Sequence, residues 1–88
     1  LVWTIEISSA AERQLRKLDK TTAKRLAAYL QQVVADSADP RTRGKSLSGP
    51  LGGLWRYRVG DYRVICELID KRLVVLVVRL GHRSRIYD

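Results

Sequence analysis

One cysteine, one histidine, two prolines and no methionine occur among the 88 residues. A lone cysteine, Cys66, excludes an intrachain disulfide and removes any reason to expect a secreted, disulfide-stapled scaffold. It sits in an apolar, strand-like stretch with no histidine at a paired spacing, so it reads as a buried structural thiol and not as a nucleophile. His82 is the only imidazole and no tight acidic cluster accompanies it, so no metal-ligand spacing is present. A phosphate-binding Gly-rich loop and a serine triad are equally lacking. The longest purely apolar run, Leu73 to Val78, falls far short of the roughly 20 residues that cross a bilayer, and no signal-peptide pattern opens the chain. A cytoplasmic protein without a cofactor or membrane partner is the expectation.

Negative charge is scarce too. Nine Asp and Glu stand against 17 Lys and Arg, a net charge of +8. Such an excess on a small body steers it toward nucleic acid, an anionic surface or an acidic protein, without choosing among them. Twelve of the seventeen basic residues are Arg, whose planar guanidinium holds phosphate bidentately and stays charged at physiological pH. A chain of this length makes one domain, residues 1–88, that buries only somewhat more than roughly 60% of its unfolded surface.

What is present is strong patterning. Val2 to Ile7 alternates as a half-buried strand. Ser9 and Glu12 have the spacing of a capping box, opening a helix with Ala11, Leu15 and Leu18 on one face. After a polar joint at Asp19 to Thr22, a second helix runs from about Thr22 to Ala35 with apolar residues at three- and four-residue steps. Arg13, Arg16, Lys17, Lys20, Lys24 and Arg25 form a solvated outer face that adds long-range attraction for RNA. Asp36 to Gly53 holds both prolines and four of the six glycines, and reads as a basic loop anchored by Leu47, with a short extended piece around Lys45 to Leu47.

From Trp55 onward three strands follow with almost no loop. Trp55, Tyr57 and Val59 alternate with Arg56 and Arg58, and Gly60-Asp61 supplies a two-residue hairpin turn. The register then sets Val59 against Tyr62, Arg58 against Arg63 and Tyr57 against Val64. Like charges directly opposite each other are destabilising. The hairpin alone leaves two readings open: an anionic ligand compensates the arrangement, or a longer turn lets the arginines splay into water. Arg72 to Leu80 is apolar on both faces, which places it toward the middle of the sheet with the first strand as its second neighbour. The predicted fold is α+β, in the order β-α-α-β-β-β, with a helical hairpin on one face of a small, mostly antiparallel four-stranded sheet. Its other face is left open, carrying Arg56, Arg58 and Arg63. The tail His82-Arg83-Ser84-Arg85-Ile86-Tyr87 can fold back over that face, and Tyr62 and Tyr87 can stack on unpaired bases. Arginines, aromatics and one imidazole suit cleavage of RNA by its own 2′-hydroxyl, which needs orientation, charge neutralisation and proton movement.

The order of elements, the segment GLWRYRVGDYRVICELID and the ending VVRLGHRSRIYD resemble the RelE family of type II toxins, in the RelE/ParE superfamily. The likeness covers nearly the whole chain and is most specific over Leu54 to Tyr87. It implies a metal-independent endoribonuclease that enters the ribosomal A site and cuts the mRNA codon there, leaving a 2′,3′-cyclic phosphate. It also implies a cognate antitoxin as partner, with operator DNA met only through the antitoxin complex. The family's functional positions fall on Arg56, Arg58, Arg63, Arg83 and Tyr87. Of these, Arg58, Arg63, Arg83 and Tyr87 form the expected catalytic set, while Arg56, Lys45, Tyr62, His82 and Arg85 are expected to bind substrate. The best-known member has lysines where this chain has Arg56 and Arg58, and arginine is a poor general base. The resemblance therefore leaves the base open between Tyr87 and His82, with positioning and charge stabilisation as the alternative. Two rival readings remain: a ParE-like gyrase poison and a non-catalytic basic binding module.

Overall fold

The computed structural model describes residues 3–86. Strand β1 (Thr4–Ile7) leads into helix α1 (Ser9–Arg16), and α2 (Lys20–Tyr29) continues without a break into a π-helical turn, Leu30–Ala35. Strands β2 (Lys45–Ser46), β3 (Trp55–Val59), β4 (Tyr62–Ile69) and β5 (Val74–His82) follow. They form one sheet in the order β1-β5-β4-β3-β2, with β1 parallel to β5 and every other pair antiparallel. The sheet therefore has five strands and not four. The added one is the extended piece at Lys45–Ser46, and two residues are too few to show a period-2 signature.

The helices start where polar side chains satisfy their first N–H groups. Ser8, not Ser9, caps α1: its Oγ accepts from Ala11 N at 3.1 Å and donates to Val78 O at 3.0 Å. Glu12 is thereby one residue too far along for a capping box, and it pairs with Arg16 instead. Asp19 caps α2 by accepting from Thr22 N at 3.0 Å, so this helix begins two residues earlier than the apolar period suggests. In the π-helical turn, Asp36 N reaches Gln31 O, five residues back, at 3.2 Å. That wider turn brings Leu30, Val34 and Ala35 inward together.

One face of the sheet buries against these helices. Trp3, Ala11, Leu26, Leu30, Val34, Tyr57, Val59, Val64, Cys66, Val75, Val77 and Leu80 make the core. Beyond Val77, β5 has no strand on its outer side among the described residues, and α1 takes over: Gln14 Oε1 accepts from Leu80 N at 2.8 Å.

The segment read as a loop anchored by Leu47 is held mainly by other residues. Tyr57 Oη donates to Pro40 O at 2.7 Å, and Trp55 Nε1 donates to Arg43 O at 2.6 Å. Arg41 spans to Asp70 with two parallel bonds of 2.9 and 2.8 Å, clamping the turn Pro40–Thr42 onto the β4–β5 connection. These bonds hold the Asp70 carboxyl below the usual carboxylate range. A depressed carboxylate stabilises the fold above its unfolded pKa, and that contribution disappears as pH falls through the lower folded value. The difference in melting temperature between the unmodified chain and Arg41→Ala is accordingly expected to be constant above about pH 5 and to shrink below about pH 4, the ordinary value for Asp. A pH-independent difference in thermal melts would refute the role assigned to this clamp.

Candidate functional site

The open face of the sheet is built by register. Side chains alternate along each strand, and residues paired across strands share a face. Lys45 lies opposite Arg56, Arg56 opposite Ile65, and Ile65 opposite Arg79. One pleat further on, Arg58 lies opposite Arg63 and Arg63 opposite Gly81. The predicted pairing of the hairpin is met at every position, with Gly60 at φ +61° in the first turn position. Neighbouring strands stand about 4.8 Å apart. Five cationic side chains thus share two adjacent rows of one sheet face.

Not all of these cations splay into water. Arg58 is exposed, Arg56 is half-buried, and Arg63 is only 7% exposed. The reading in which all three arginines splay into water fails at Arg63, because its guanidinium turns back on its own hairpin: Nη1 donates to Gly60 O at 3.1 Å and to Tyr62 O at 3.0 Å. Among the described residues no acceptor meets the buried Nε of Arg56, and a charged donor left so is costly unless something supplies one.

Arg79 was not among the expected site residues. As part of an uninterrupted strand, it would stand on the same side as Val75 and Val77, against the helices. A β-bulge prevents this. Ile65 pairs with Arg79 but Cys66 pairs with Val77, so Val78 is an extra residue, and the phase of everything after it is inverted. Arg79 and Gly81 come to the open face while Leu80 and His82 go to the helix side.

The tail does return over the open face. Arg85 N and Ile86 N both donate to His82 O, at 2.9 and 3.0 Å, closing a turn. Ile86 is 3% exposed, and its Cδ1 lies 3.5 Å from where a Cβ on Gly81 would stand. Arg83 is fixed at the hairpin end, its N–H donating to Asp61 O at 2.8 Å and its Nε 3.8 Å from Asp61 Oδ1. Arg85 is exposed. Tyr87 lies outside the described residues.

Two of the expected substrate-binding residues are elsewhere. Tyr62 and His82 pair on the helix side, their rings T-shaped at 5.6 Å and 82°. They line a cleft of about 810 Å³ around the outer edge of β5, together with Gln14, Lys17, Ser84 and Arg85. His82 Nδ1 accepts from Ser84 N at 3.2 Å and lies 2.8 Å from Ser84 Oγ. Burial pushes the Cys66 thiol and the Tyr57 phenol upward, so both stay protonated, in keeping with their core positions. Among the described residues no three His, Cys, Asp or Glu side chains gather, and no helix is long and apolar enough to cross a membrane.

Such a face can grip a polyanion and neutralise charge that builds on a phosphate; its two rows hold no carboxylate or thiolate, among the described residues, to act as a nucleophile. Comparison with known proteins agrees on the lineage. The family model for the ParE toxin of the type II toxin–antitoxin system parDE matches residues 5–87. Toxin RelG of Mycobacterium tuberculosis is 33% identical over 86 residues, covering 97% of this chain and 95% of that protein. The mRNA interferase toxin RelE of Escherichia coli is 28% identical over 86 residues, 97% and 87% of the two chains. Among solved structures, the toxin–antitoxin complex RelBE2 of M. tuberculosis superposes with a TM-score of 0.86 at 25% identity, covering 96% of this chain and 94% of that one. The chain belongs to the ParE toxin family of type II toxin–antitoxin systems and, within the RelE/ParE superfamily, is a RelE-type toxin.

Proposed function

We propose that the chain is a ribosome-dependent mRNA endoribonuclease that cuts the A-site codon by attack of the RNA's own 2′-hydroxyl. The observation that carries this reading is the pair of cationic rows on one sheet face, with like charges in direct register at Arg58 and Arg63 and a buried Arg56 Nε that finds no acceptor among the described residues. Phosphates offset both penalties at once. The name of the E. coli relative, an mRNA interferase, supports the same substrate class.

In this reading Arg56, Arg58 and Lys45 hold the RNA backbone so that the 2′-oxygen lies in line with the scissile phosphorus. The 2′-oxygen loses its proton and bonds to phosphorus, the P–O5′ bond breaks, and the departing 5′-oxygen takes a proton from water, so that a 2′,3′-cyclic phosphate and a 5′-hydroxyl result. Arg63 and Arg83 neutralise charge on the non-bridging oxygens as the phosphorane forms. Arg85 contacts the strand beyond. His82 faces the helix-side cleft with Nδ1 engaged by Ser84, which leaves Tyr87 as the side chain that takes or relays the 2′-proton. Tyr62 and His82 then bind substrate from the cleft and not from the arginine face. The antitoxin in the complex of the M. tuberculosis relative supports a small cognate antitoxin as the neutralising partner here, and operator DNA is met through that complex.

The test is a primer-extension map of one message in a purified translation system. Cuts confined to the A-site codon and absent without ribosomes are the expected result. An intact message together with gyrase-linked DNA breaks in cells would replace this reading with a ParE-like one.

A further inference from the structure

We propose that Arg79 is a positioning residue: it holds the turn 83–86 down against the open face of the sheet and so sets where Arg83, and the chain leading to Tyr87, meet the cationic rows. The catalytic half of this inference rests on the ribonuclease reading above; the structural half does not.

The bulge is the origin of the arrangement. Val78 opposes no residue of its own on β4, so Arg79 emerges on the open face beside Ile65 and not among the core valines. A bulge bends a strand and forfeits local pairing, and it characteristically re-aims a side chain near a site. Here it does so with two residues at once. Gly81, brought to the same face, leaves a flat place on which the Ile86 side chain lies, 3.5 Å from the position of an added Cβ. Arg79, half-buried, donates from Nη1 to the Ile86 carbonyl at 3.2 Å. Ile86 is therefore fixed by its side chain and by its carbonyl, both through consequences of one extra residue at Val78.

The other end of the turn is fixed independently, by the bond from Arg83 N to Asp61 O at 2.8 Å. The bonds from Arg85 N and Ile86 N to His82 O close the turn on itself, and the Arg79 bond to Ile86 O adds the polar tie from its far end to the sheet; without it that end is held to the sheet by the Ile86 side chain alone. A charged donor on a part-buried carbonyl is among the stronger hydrogen bonds available for this purpose. Displacements of about 1 Å at a reacting centre can cost on the order of 10²-fold in rate.

Two variants of the full chain test this. Arg79→Met keeps the aliphatic stem and removes every donor; Arg79→Lys restores a cationic donor. Hydrogen exchange by NMR at the amides of Arg85 and Ile86 is the first readout. It is expected to quicken roughly tenfold in Arg79→Met, with β3–β4 amides unchanged, and to recover in Arg79→Lys. The second readout is ribosome-dependent cleavage: kcat is expected to fall by about 30- to 100-fold in Arg79→Met with KM within about twofold, and to return substantially in Arg79→Lys. Unchanged exchange at Arg85 and Ile86 would overturn the proposal. So would a raised KM with unchanged kcat, which would make Arg79 a phosphate contact only. If exchange quickens as expected but the unmodified chain cuts no message, the tether stands and the ribonuclease reading falls.

Discussion

Arg83→Ala is expected to lower ribosome-dependent cleavage by about 10²–10³-fold, the loss seen when one preorganised charge stabiliser is removed from a transition state. The fold should barely respond. The Arg83 side chain is 62% exposed, its Nε lies 3.8 Å from Asp61 Oδ1, and the backbone bond to Asp61 O survives the substitution. Exposed pairs of this kind contribute little, so unfolding should shift by less than about 0.5 kcal/mol. On the proposed mechanism the effect belongs in kcat, because Arg56, Arg58 and Lys45 are the residues assigned to the ground-state phosphate. Arg83→Lys should recover part of the rate, since it returns charge without the bidentate fork. Single-turnover cleavage on programmed ribosomes measures this, and a rate within about threefold of the unmodified protein would remove Arg83 from the site. Arg63 is the weaker choice for the same test: it is 7% exposed and bonded to Gly60 O and Tyr62 O, so its loss would disturb the hairpin and the chemistry together.

Gly44→Ala is expected to be the most damaging small substitution for stability. Gly44 sits at φ +76°, and an added Cβ would fall 2.3 Å from Arg56 O, 2.7 Å from Trp55 Nε1 and 2.9 Å from Tyr57 Cδ1. The first of these is backbone of β3 and cannot swing away. Left-handed backbone strain and overpacking together cost roughly 3 kcal/mol, which for a domain of this size lowers Tm by about 12 °C or more. The change would also push at β3 where Lys45 pairs with Arg56, so it tests whether β2 is needed to hold the cationic row. Thermal unfolding settles it: a drop under about 4 °C would mean that the loop relaxes freely and that Gly44 is not the reason the chain can pass so close to β3.

The hairpin was legible because Gly60 sets the turn and the turn sets the register, so Arg58 opposite Arg63 followed from counting alone. The helices were legible from their period, although Ser8 and Asp19, not the apolar residues, decide where they begin. The last strand was a different case. Val74 to Val78 is apolar at every position, so the sequence carries no phase, and the bulge that turns Arg79 outward leaves no mark in it. Alternation also could not foresee that Arg63 would bond carbonyls of its own turn. The register, which sets Tyr62 opposite Val59, does put Tyr62 behind the sheet from the arginines, and only the bulge brings His82 there with it. Sequence places a side chain on a face only where the ladder is regular up to that point.

The most direct test of the central claim concerns the nucleophile. An arginine face can position and neutralise a phosphate but cannot attack it, and the proposed mechanism takes the attacking oxygen from the RNA itself. A message carrying one 2′-deoxynucleotide immediately 5′ of the mapped cut, placed in the A site of purified ribosomes and exposed to the protein, should remain intact while the all-ribose message is cut. Cleavage of the deoxy-substituted message at the same bond would mean that water or a protein group is the nucleophile, and that the arginine rows do not serve to align a 2′-hydroxyl for attack.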